Sequence, residues 1–531
     1  SDPNAWHNQF YSLVTTKINE EIFKPLFPEG KKCGRPNASI RILVAMSALK
    51  EGFGCSDEDL FEKCEFDLLT RKALGMELLT DVTPSIDTYY LFRRRICEYQ
   101  ERTGIDLMQL CFEQLAGNQV RLLKISGKCV RMDSKLIGSN IARQSRYELI
   151  HTTLVKFLKT CTLSDLSPEQ EERAKEYLKE DSSKTVYRSD SDTLQSNLAR
   201  IGNFIMEMLA TFPATSPAHD LLQRLFDEQY AVKDGKAVLR DKKEVKADSL
   251  QNPNDPDATY RAKNDQKVQG YVTNITETVE EGKPNIITSV QVETAVFADC
   301  HFLQEAVENS ERVTDSTIED LYADGAYQSP DNREFAKNHN AMQLKTGKMQ
   351  GGCRWELIPH DEDGLTVREI ATGNTYEAVK AVTKQGSRKR WRIPWNNKTG
   401  WRYFEDKDIK AYQLRKQIES LPLEEQHKRN NVEAAMFQYS FHTRKGKTRY
   451  RGLLKHRMHA YSRCMWMNLR RMVIFQISTF QRSIFALFGP IREAFGSFKA
   501  ISRKIFTSGA DCYVSLRMTT LARLDSKYVP F

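Results

Sequence analysis

Three acidic residues stand where a carboxylate could hold a metal ion. Asp133 lies in a short strand-like run between glycines, Asp324 ends the run LYAD, and Glu433 lies in NNVEAAMFQYSF. Carboxylate oxygens are the ligands that Mg²⁺ and Mn²⁺ prefer in proteins. Two such ions about 4 Å apart can activate a water or a hydroxyl group for in-line phosphoryl transfer. These residues are therefore candidates for metal-dependent catalysis on a phosphodiester.

Each of these carboxylates also has an ordinary structural explanation. Asp133 could accept a hydrogen bond at a strand end, and Asp324 could form a turn with the glycine that follows it. Glu433 could pair with Arg429 one helical turn away, a contact worth only about 0.3–0.5 kcal/mol. Asp257, which follows a proline in a polar loop, is interpreted as a turn residue and left out of the candidate site.

The pattern around the aspartates predicts a mixed α/β sheet with helices on its faces. A strand over 127–138 carries Asp133, and residues 268–297 form a β-hairpin. A helix, a strand ending at Asp324, a helix with Ser329 as its cap, and a last strand follow. We expect the ends of these strands to bring the two aspartates to one edge of the sheet.

A later helix carries Glu433. Its apolar residues recur at the spacing of a buried helical stripe: Val432, Ala435, Met436 and Tyr439. Glu433 is about 100° around the helix from Val432, at the flank of the stripe, where it can point along the edge of the sheet.

Residues 1–120 predict a compact helical domain, with a helix over 38–51 and a capping box that begins at Ser56. A third helix is predicted with Thr83 as its N-cap and Gly104 at its end. It carries three consecutive arginines as candidate DNA contacts: Arg93, Arg94 and Arg95. Both a packing domain and a DNA-binding module remain open.

Positive charge is concentrated in the C-terminal part of the chain. Residues 434–531 contain 18 Lys/Arg and three acids, a net charge of about +15. Because the whole chain carries +9, residues 1–433 carry about −6. A solvated helix face usually mixes both signs, and from 434 to 492 there is no acid at all. The asymmetry favours a nucleic acid as partner.

Two segments combine basic residues in patterns that suit DNA. Residues 384–404 contain seven Lys/Arg, no acid and several aromatic side chains, which could stack on bases or form a small core of their own. A second run, 442–457, directly follows the Glu433 helix and is expected near the scissile phosphate. The candidate DNA contacts in and beside these segments are Arg388, Lys389, Arg390, Trp391, Arg392, Trp395, Trp401, Arg429, Arg444, Lys445, Lys447, Arg449 and Arg451.

Length and composition indicate a soluble globular protein. At 531 residues, 40% hydrophobic and 28% charged, the chain predicts two to four domains. We find no run of 18 apolar residues and no secretory signal, so we expect a cytoplasmic protein without a membrane partner. His456, His459 and Cys464 are spaced only loosely like zinc ligands, and we do not predict a zinc site there.

Four segments resemble sequence blocks of bacterial insertion-sequence transposases of the DDE type: VRMDSKLIGSNIA, NDPDATYRAKNDQKVQGYVTNITET, LYADGAYQSPDN and RNNVEAAMFQYSF. The block RILVAMSALKEGFGCSDEDLFEKCEFDLLTRKALGM is similar to the helical N-terminal domain of the same proteins. The resemblance runs in the expected order from about residue 35 to 470.

This resemblance implies an RNase H-like, integrase-like catalytic core in which Asp133, Asp324 and Glu433 form the catalytic triad. Asp133 and Asp324 would hold both of two Mg²⁺ or Mn²⁺ ions, and Glu433 the second. The partners implied are double-stranded DNA, as transposon ends and as target, and a second copy of the chain on that DNA. Localisation at the bacterial nucleoid follows from the same resemblance.

The implied organisation has five parts. They are a helical DNA-binding domain (1–120), the first part of the core (121–346) with a helical insertion at about 140–248, a Trp/Arg-rich insertion (347–420), the Glu433 helix (421–470) and a basic helical tail (471–531).

One departure concerns the catalytic glutamate. A related branch has a Tyr-x2-Arg-x3-Glu-x6-Lys signature, in which Arg429 and Glu433 fit, while Gln426 and Ser440 replace the tyrosine and lysine. Whether a hairpin intermediate forms is therefore open, and Lys445 or Lys447 could supply the missing phosphate contact. A structure-specific nuclease on the same fold and a decayed, non-catalytic transposase remain alternatives.

Overall fold

A computed structural model describes residues 3–27, 38–213, 216–263, 266–346, 353–360, 364–381, 389–395, 400–420, 422 and 432–494. For Trp395, Val432 and residues 480–494 it describes the backbone alone. The α/β class predicted from the sequence is confirmed.

The N-terminal region is helical. Its helices are α1 (Trp6–Leu13), α2 (Ile40–Phe53), α3 (Asp57–Phe66), α4 (Leu68–Leu74), α5 (Ile86–Thr103) and α6 (Leu107–Leu123). The capping box of α3 forms as predicted, between Ser56 and Asp59. The predicted N-cap of α5 was wrong by two residues: Ser85, not Thr83, accepts the N–H of Thr88.

The first strand, β1 (Cys129–Gly138), is followed by the predicted helical insertion. This insertion comprises α7 (Arg146–Leu158), α8 (Pro168–Lys179), α9 (Ser182–Arg188), α10 (Ser191–Thr211), α11 (Pro217–Gln229) and a hairpin of β2 (Tyr230–Lys233) and β3 (Lys236–Leu239). Proline opens α8 and α11 as expected. The hairpin was not predicted, because its strands are too short to show a clear alternation.

The remaining strands and helices of the main sheet are β4 (Thr259–Lys263), β5 (Gln266–Thr278), β6 (Ile287–Thr294), α12 (Leu303–Thr314), β7 (Asp320–Ala323), α13 (Pro330–Asn338) and β8 (Gln343–Thr346). The strand order is β4-β5-β1-β7-β8, with β6 also paired to β5. β5 runs antiparallel to β1 and β6, whereas β7 runs parallel to β1 and β8. β4 lies in a segment predicted to be a loop.

The second insertion forms a separate antiparallel sheet. Its elements are β9 (Trp355–Pro359), β10 (Leu365–Glu369), β11 (Thr375–Lys380), β12 (Arg390–Trp395), β13 (Gly400–Glu405) and α14 (Asp406–Glu419). The strand order β13-β12-β11-β10-β9 makes a meander with its own buried cluster. Two helices end the described chain, α15 (Val432–Ser440) and α16 (Leu453–Ala494).

The two faces of the main sheet pack against different parts of the chain. One face buries Val130, Met132 and Leu321 against α12 and α13. On the other face, Ile137 and Tyr271 share a buried cluster with α15, α16 and the N-terminal helices. The face that carries Asp133 is therefore the one that meets the Glu433 helix.

Helix α16 joins the N-terminal helices to the sheet. Asn468 exchanges hydrogen bonds of 2.8 and 2.9 Å with the backbone of Ile287 at the start of β6. On its other side Trp466 lies against Gly52 of α2 so closely that a Cβ atom at residue 52 would be 2.3 Å from the indole ring. Within the described ranges, no helix combines the length and apolar content needed to cross a bilayer.

Candidate active site

Asp133 lies in β1, and Asp324 directly follows the parallel neighbour β7. In the register of these strands Arg131 is opposite Tyr322, and each aspartate comes two residues later, close enough for the charge of Asp324 to act on Asp133. Alternate residues of a strand point to the same face, so both aspartates lie on the face opposite Met132 and Ala323. Neighbouring strands are about 4.8 Å apart, which places the two carboxylates within reach of a common ligand.

Both aspartates are half-buried and held by the backbone. Asp133 Oδ1 accepts a hydrogen bond from the N–H of Ser134 at 2.8 Å, and Asp324 Oδ1 accepts one from the N–H of Gly325 at 2.7 Å. Burial, with a smaller contribution from the charge of Asp324, raises the pKa of Asp133 to about 6. Asp324 can therefore form its turn and still contribute to a site beside Asp133. The hydrogen bond from the N–H of Gly325 uses only one of its two carboxylate oxygens.

A third carboxylate, Asp299, contributes to this electrostatic environment and was missed from the sequence. It follows β6 in a single helical turn, and its charge adds slightly to the raised pKa of Asp133. Asp299 is compensated by two cations: Arg261 contacts both of its oxygens at 3.0 and 3.3 Å, and Lys263 lies 3.6 Å away. Its position after a predicted strand was the signal that could have identified it.

The Glu433 helix packs on the Asp133 face of the sheet. The ammonium group of Lys135 donates to Ser440 Oγ at 2.7 Å and to the carbonyl of Met436 at 3.5 Å. Farther along α15, Tyr439 OH lies 3.2 Å from Thr273 Oγ1 of β5. The predicted inward stripe is confirmed for Ala435, Met436 and Tyr439, which are buried.

Glu433 lies in the first turn of α15 and is exposed. In the described part of the chain, no three Asp, Glu, His or Cys side chains are close enough to hold one metal ion. The structure therefore brings Asp133 and Asp324 together, but it does not bring Glu433 into their group. Its predicted partner Arg429 lies outside the described residues.

The basic run after α15 meets the far end of β1. Gly138 donates its N–H to the carbonyl of Gly446 at 2.8 Å and accepts from the N–H of Thr448 at 3.0 Å. Gly138 is five residues beyond Asp133, or about 17 Å along the strand. This part of the loop therefore adds to the far end of the strand, while the expected place of the whole run near the scissile phosphate stays a prediction.

The residues of this loop that were predicted to contact DNA differ in their hydrogen bonds to the rest of the protein. Arg444 and Lys445 are exposed. Lys447 donates to the carbonyl of Ile141 at 2.6 Å, and Arg451 donates to that of Asn140 at 2.7 Å. Arg449 donates to the carbonyl of Gly54, so it connects the loop to the end of α2.

The three arginines of α5 have different environments. Arg93 points inwards, 3.8 Å from Asp57, and its guanidinium packs on the rings of Tyr89 and Tyr450. It is therefore not available for DNA. Arg94 is 68% exposed and pairs with Glu98 on the same helix, while Arg95 lies over the ring of Phe27.

The second insertion presents cations and aromatic rings on one face. Arg390 stacks on Tyr403 with 4.1 Å between guanidinium and ring centre, and Arg392 stacks on Trp401 at 4.2 Å. Trp401 is 49% exposed.

The structure corrects the prediction for Trp391: its side chain is only 3% exposed and belongs to the core of this sheet, so it cannot stack on a base. Of the other residues predicted here, Lys389 precedes β12, while Arg388 and the side chain of Trp395 lie outside the described residues.

A second acidic centre lies between α2 and α16. Glu51 Oε2 is 2.7 Å from Nδ1 of His459, and Tyr450 OH donates to Oε1. Burial alone would raise the pKa of Glu51, but His459 and Lys50 lower it to about 2. His456 is buried, which lowers its pKa to about 3. Its Nε2 lies 3.1 Å from the carbonyl oxygen of Tyr450.

Asp257 has a structural role, as interpreted from the sequence. Its Oδ2 accepts the backbone N–H of Leu453 at 3.2 Å, where α16 begins. One unpaired N–H of that helix terminus is thereby satisfied.

The N-terminal helices carry the likeness to known proteins. Residues 4–95 match a family model described as a transposase domain (DUF772), which supports a transposase family for the chain. The matched range lies within α1–α5 and contains neither Asp133 nor Asp324. No curated protein and no solved structure matches.

Proposed function

We propose that this chain is a DNA transposase of the DDE type with an RNase H-like catalytic core. It would bind the terminal inverted repeats of its element, cleave DNA at the ends and join them to target DNA. The observation that carries the proposal is that Asp133 of β1 and Asp324, which directly follows the parallel neighbour β7, come two residues after a paired position, on the sheet face where a helix bears a third carboxylate. The transposase domain at residues 4–95 is independent support.

The donor set suits Mg²⁺ or Mn²⁺. Asp133 and Asp324 offer hard oxygen ligands and no thiol or imidazole, and the raised pKa of Asp133 reflects a burial and repulsion that a cation would offset. Bound ions would supply charge neutralisation at the phosphate and an activated oxygen nucleophile. Asp133 and Asp324 would hold them, with Glu433 as the third ligand once α15 is engaged by DNA.

Basic and aromatic side chains of the second insertion and of the loop after α15 would position the DNA. The stacked pairs Arg390–Tyr403 and Arg392–Trp401 offer phosphate contacts beside an exposed aromatic ring, a combination suited to nucleic acid. Arg444 and Lys445 extend the basic surface at the end of β1. Two DNA ends must be joined, so we propose that a dimer forms on DNA.

A cleavage and joining assay tests the proposal. Purified protein, Mg²⁺, a labelled duplex from the end of the element and a target plasmid should give cut ends and joined products. Asp324→Asn should lose both activities, because the ligand set would keep a single ionised aspartate. Asp234→Asn is the matched control, since Asp234 is exposed in the β2–β3 turn at a positive φ that Asn also tolerates.

Three outcomes would contradict the proposal in different ways. Full cleavage by Asp324→Asn would show that the carboxylate assignment is wrong. A wild-type protein that cuts but never joins would be the nuclease alternative. One that binds the ends and neither cuts nor joins them in Mg²⁺ or Mn²⁺ would be a decayed transposase.

A further inference from the structure

Lys135 occupies a distinctive place beside the two aspartates. It lies two residues after Asp133 on β1 and therefore on the same face, with about 7 Å between their Cα atoms. Its side chain is half-buried beneath α15. No sequence pattern marked it, because a lysine in a strand usually faces solvent.

The ammonium group of Lys135 is held by neutral acceptors. Ser440 Oγ at 2.7 Å and the carbonyl of Met436 at 3.5 Å occupy two of its three N–H groups. Among the residues that the structure describes, no carboxylate oxygen lies within ion-pair distance of it. A half-buried cation with neutral partners keeps its charge available for an anion, and one N–H remains to bind it.

We propose that Lys135 binds a non-bridging phosphate oxygen of the DNA strand held at the Asp133–Asp324 site. The inference rests on the proposed function, because it takes the substrate to be a phosphodiester. The two contacts to α15 fix the direction of the ammonium group before DNA arrives. The same contacts tie the Glu433 helix to β1, so one residue would connect the substrate to the element that carries the third carboxylate.

Three other lysines are less suitable for binding this phosphate oxygen. Lys447 already donates to the carbonyl of Ile141, and the loop that holds it and Lys445 joins β1 about 17 Å from Asp133. Lys263 lies 3.6 Å from Asp299, which compensates its charge.

The test compares Lys135→Gln with Lys135→Arg on the labelled end duplex. Loss of a charged hydrogen bond to phosphate should lower kcat/KM for cleavage about 10- to 100-fold in Lys135→Gln. Lys135→Arg should retain most of the activity. Ser440→Ala keeps the cation and removes one of its two contacts to α15, so it should cost less than Lys135→Gln; an equal loss would show that helix attachment, not phosphate binding, is the role of Lys135.

Methylphosphonate substitution identifies the phosphate. Replacing each phosphate around the cut, one at a time, should reveal one position at which wild type loses activity and Lys135→Gln loses nothing further. Such non-additivity is the mark of a direct contact. Unchanged kcat/KM in Lys135→Gln, or losses that multiply at every position, would overturn the proposal.

A binding measurement separates this inference from the proposed function. In Ca²⁺, without cleavage, Lys135→Gln should reduce the slope of log K against log salt by about one for the end duplex. An unchanged slope would reject the Lys135 contact. A reduced slope in a protein that never cleaves would reject the catalytic proposal and leave the contact intact.

Discussion

Glu51 and Asp133 are both partly buried carboxylic acids, yet their surroundings move their pKa values in opposite directions. Glu51, between α2 and α16, has His459 at 2.7 Å and Lys50 nearby, and its pKa is about 2 in spite of burial. Asp133 has burial and a second carboxylate, Asp324, and its pKa is about 6. The first acid is neutralised by its neighbours, whereas the second is adjacent to like charge.

The difference separates a structural acid from a candidate ligand. A compensated buried carboxylate stabilises the fold, because the cations around it would otherwise be buried without a partner. A carboxylate held beside another carboxylate destabilises the fold unless something else supplies positive charge. Natural proteins keep such pairs mainly where function needs them.

Asp133→Asn should reduce the rate of Mg²⁺-dependent cleavage by about a thousandfold or more. The metal ions that would stabilise the negative charge of the transition state would lose a ligand. The measurement is the single-turnover rate on the labelled end duplex. Glu51→Gln is the contrasting variant: well below its melting temperature it should lose activity only in proportion to the unfolded fraction. If both variants lost the same activity while folded, the distinction between the two acids would fail.

Glu51→Gln should lower the free energy of unfolding by about 3 kcal/mol, because His459 would stay buried and lose the carboxylate that it contacts. Urea denaturation at pH 7 measures the change. Glu98→Gln, which removes only the exposed partner of Arg94, should cost less than about 0.5 kcal/mol. Equal costs for the two variants would show that the Glu51 centre is not compensated as described.

Asp133→Asn should stabilise the metal-free protein at pH 8 by about 2 kcal/mol. Between pH 4 and 6 folded Asp133 keeps a proton that the unfolded chain releases, so the stability of wild type falls as pH rises through this window. Asn has no such titration, and the gain should vanish below pH 4. Denaturation curves at several pH values, with a chelator, measure it. A variant less stable than wild type at pH 8 would contradict the prediction.

Asp299→Asn should shift the pH midpoint of Mn²⁺ binding downwards by less than about half a unit. Removing this charge lowers the pKa of Asp133 slightly and frees Arg261 and Lys263 to favour its ionised form. Calorimetric titration with Mn²⁺ between pH 5 and 8 measures the midpoint. A shift to higher pH would show that Asp299 helps to bind the cation.

Local signals predicted most of the main sheet and the place of its two aspartates. Strand alternation, Gly325 and the cap at Ser329 act over a few residues, so their effect is visible in the sequence. The contact between Lys135 and Ser440 joins residues 305 positions apart, and no local pattern encodes it. The alternation of Arg390 and Arg392 with Trp391 suggests a strand with one basic face, but it does not tell whether Trp391 stacks on a base or packs in a small core. Asp299 follows a predicted strand, but only the folded sheet shows that its charge acts on Asp133.

The close contact between Gly52 and Trp466 has a consequence for exchange of parts between related chains. A single added carbon at residue 52 would collide with the indole ring, so the identity of each residue limits the other. A chimera that takes its first 120 residues from a relative with alanine at this position should assemble only if residue 466 is also made smaller. The N-terminal helices and helix α16 must therefore be inherited, or engineered, as a matched pair.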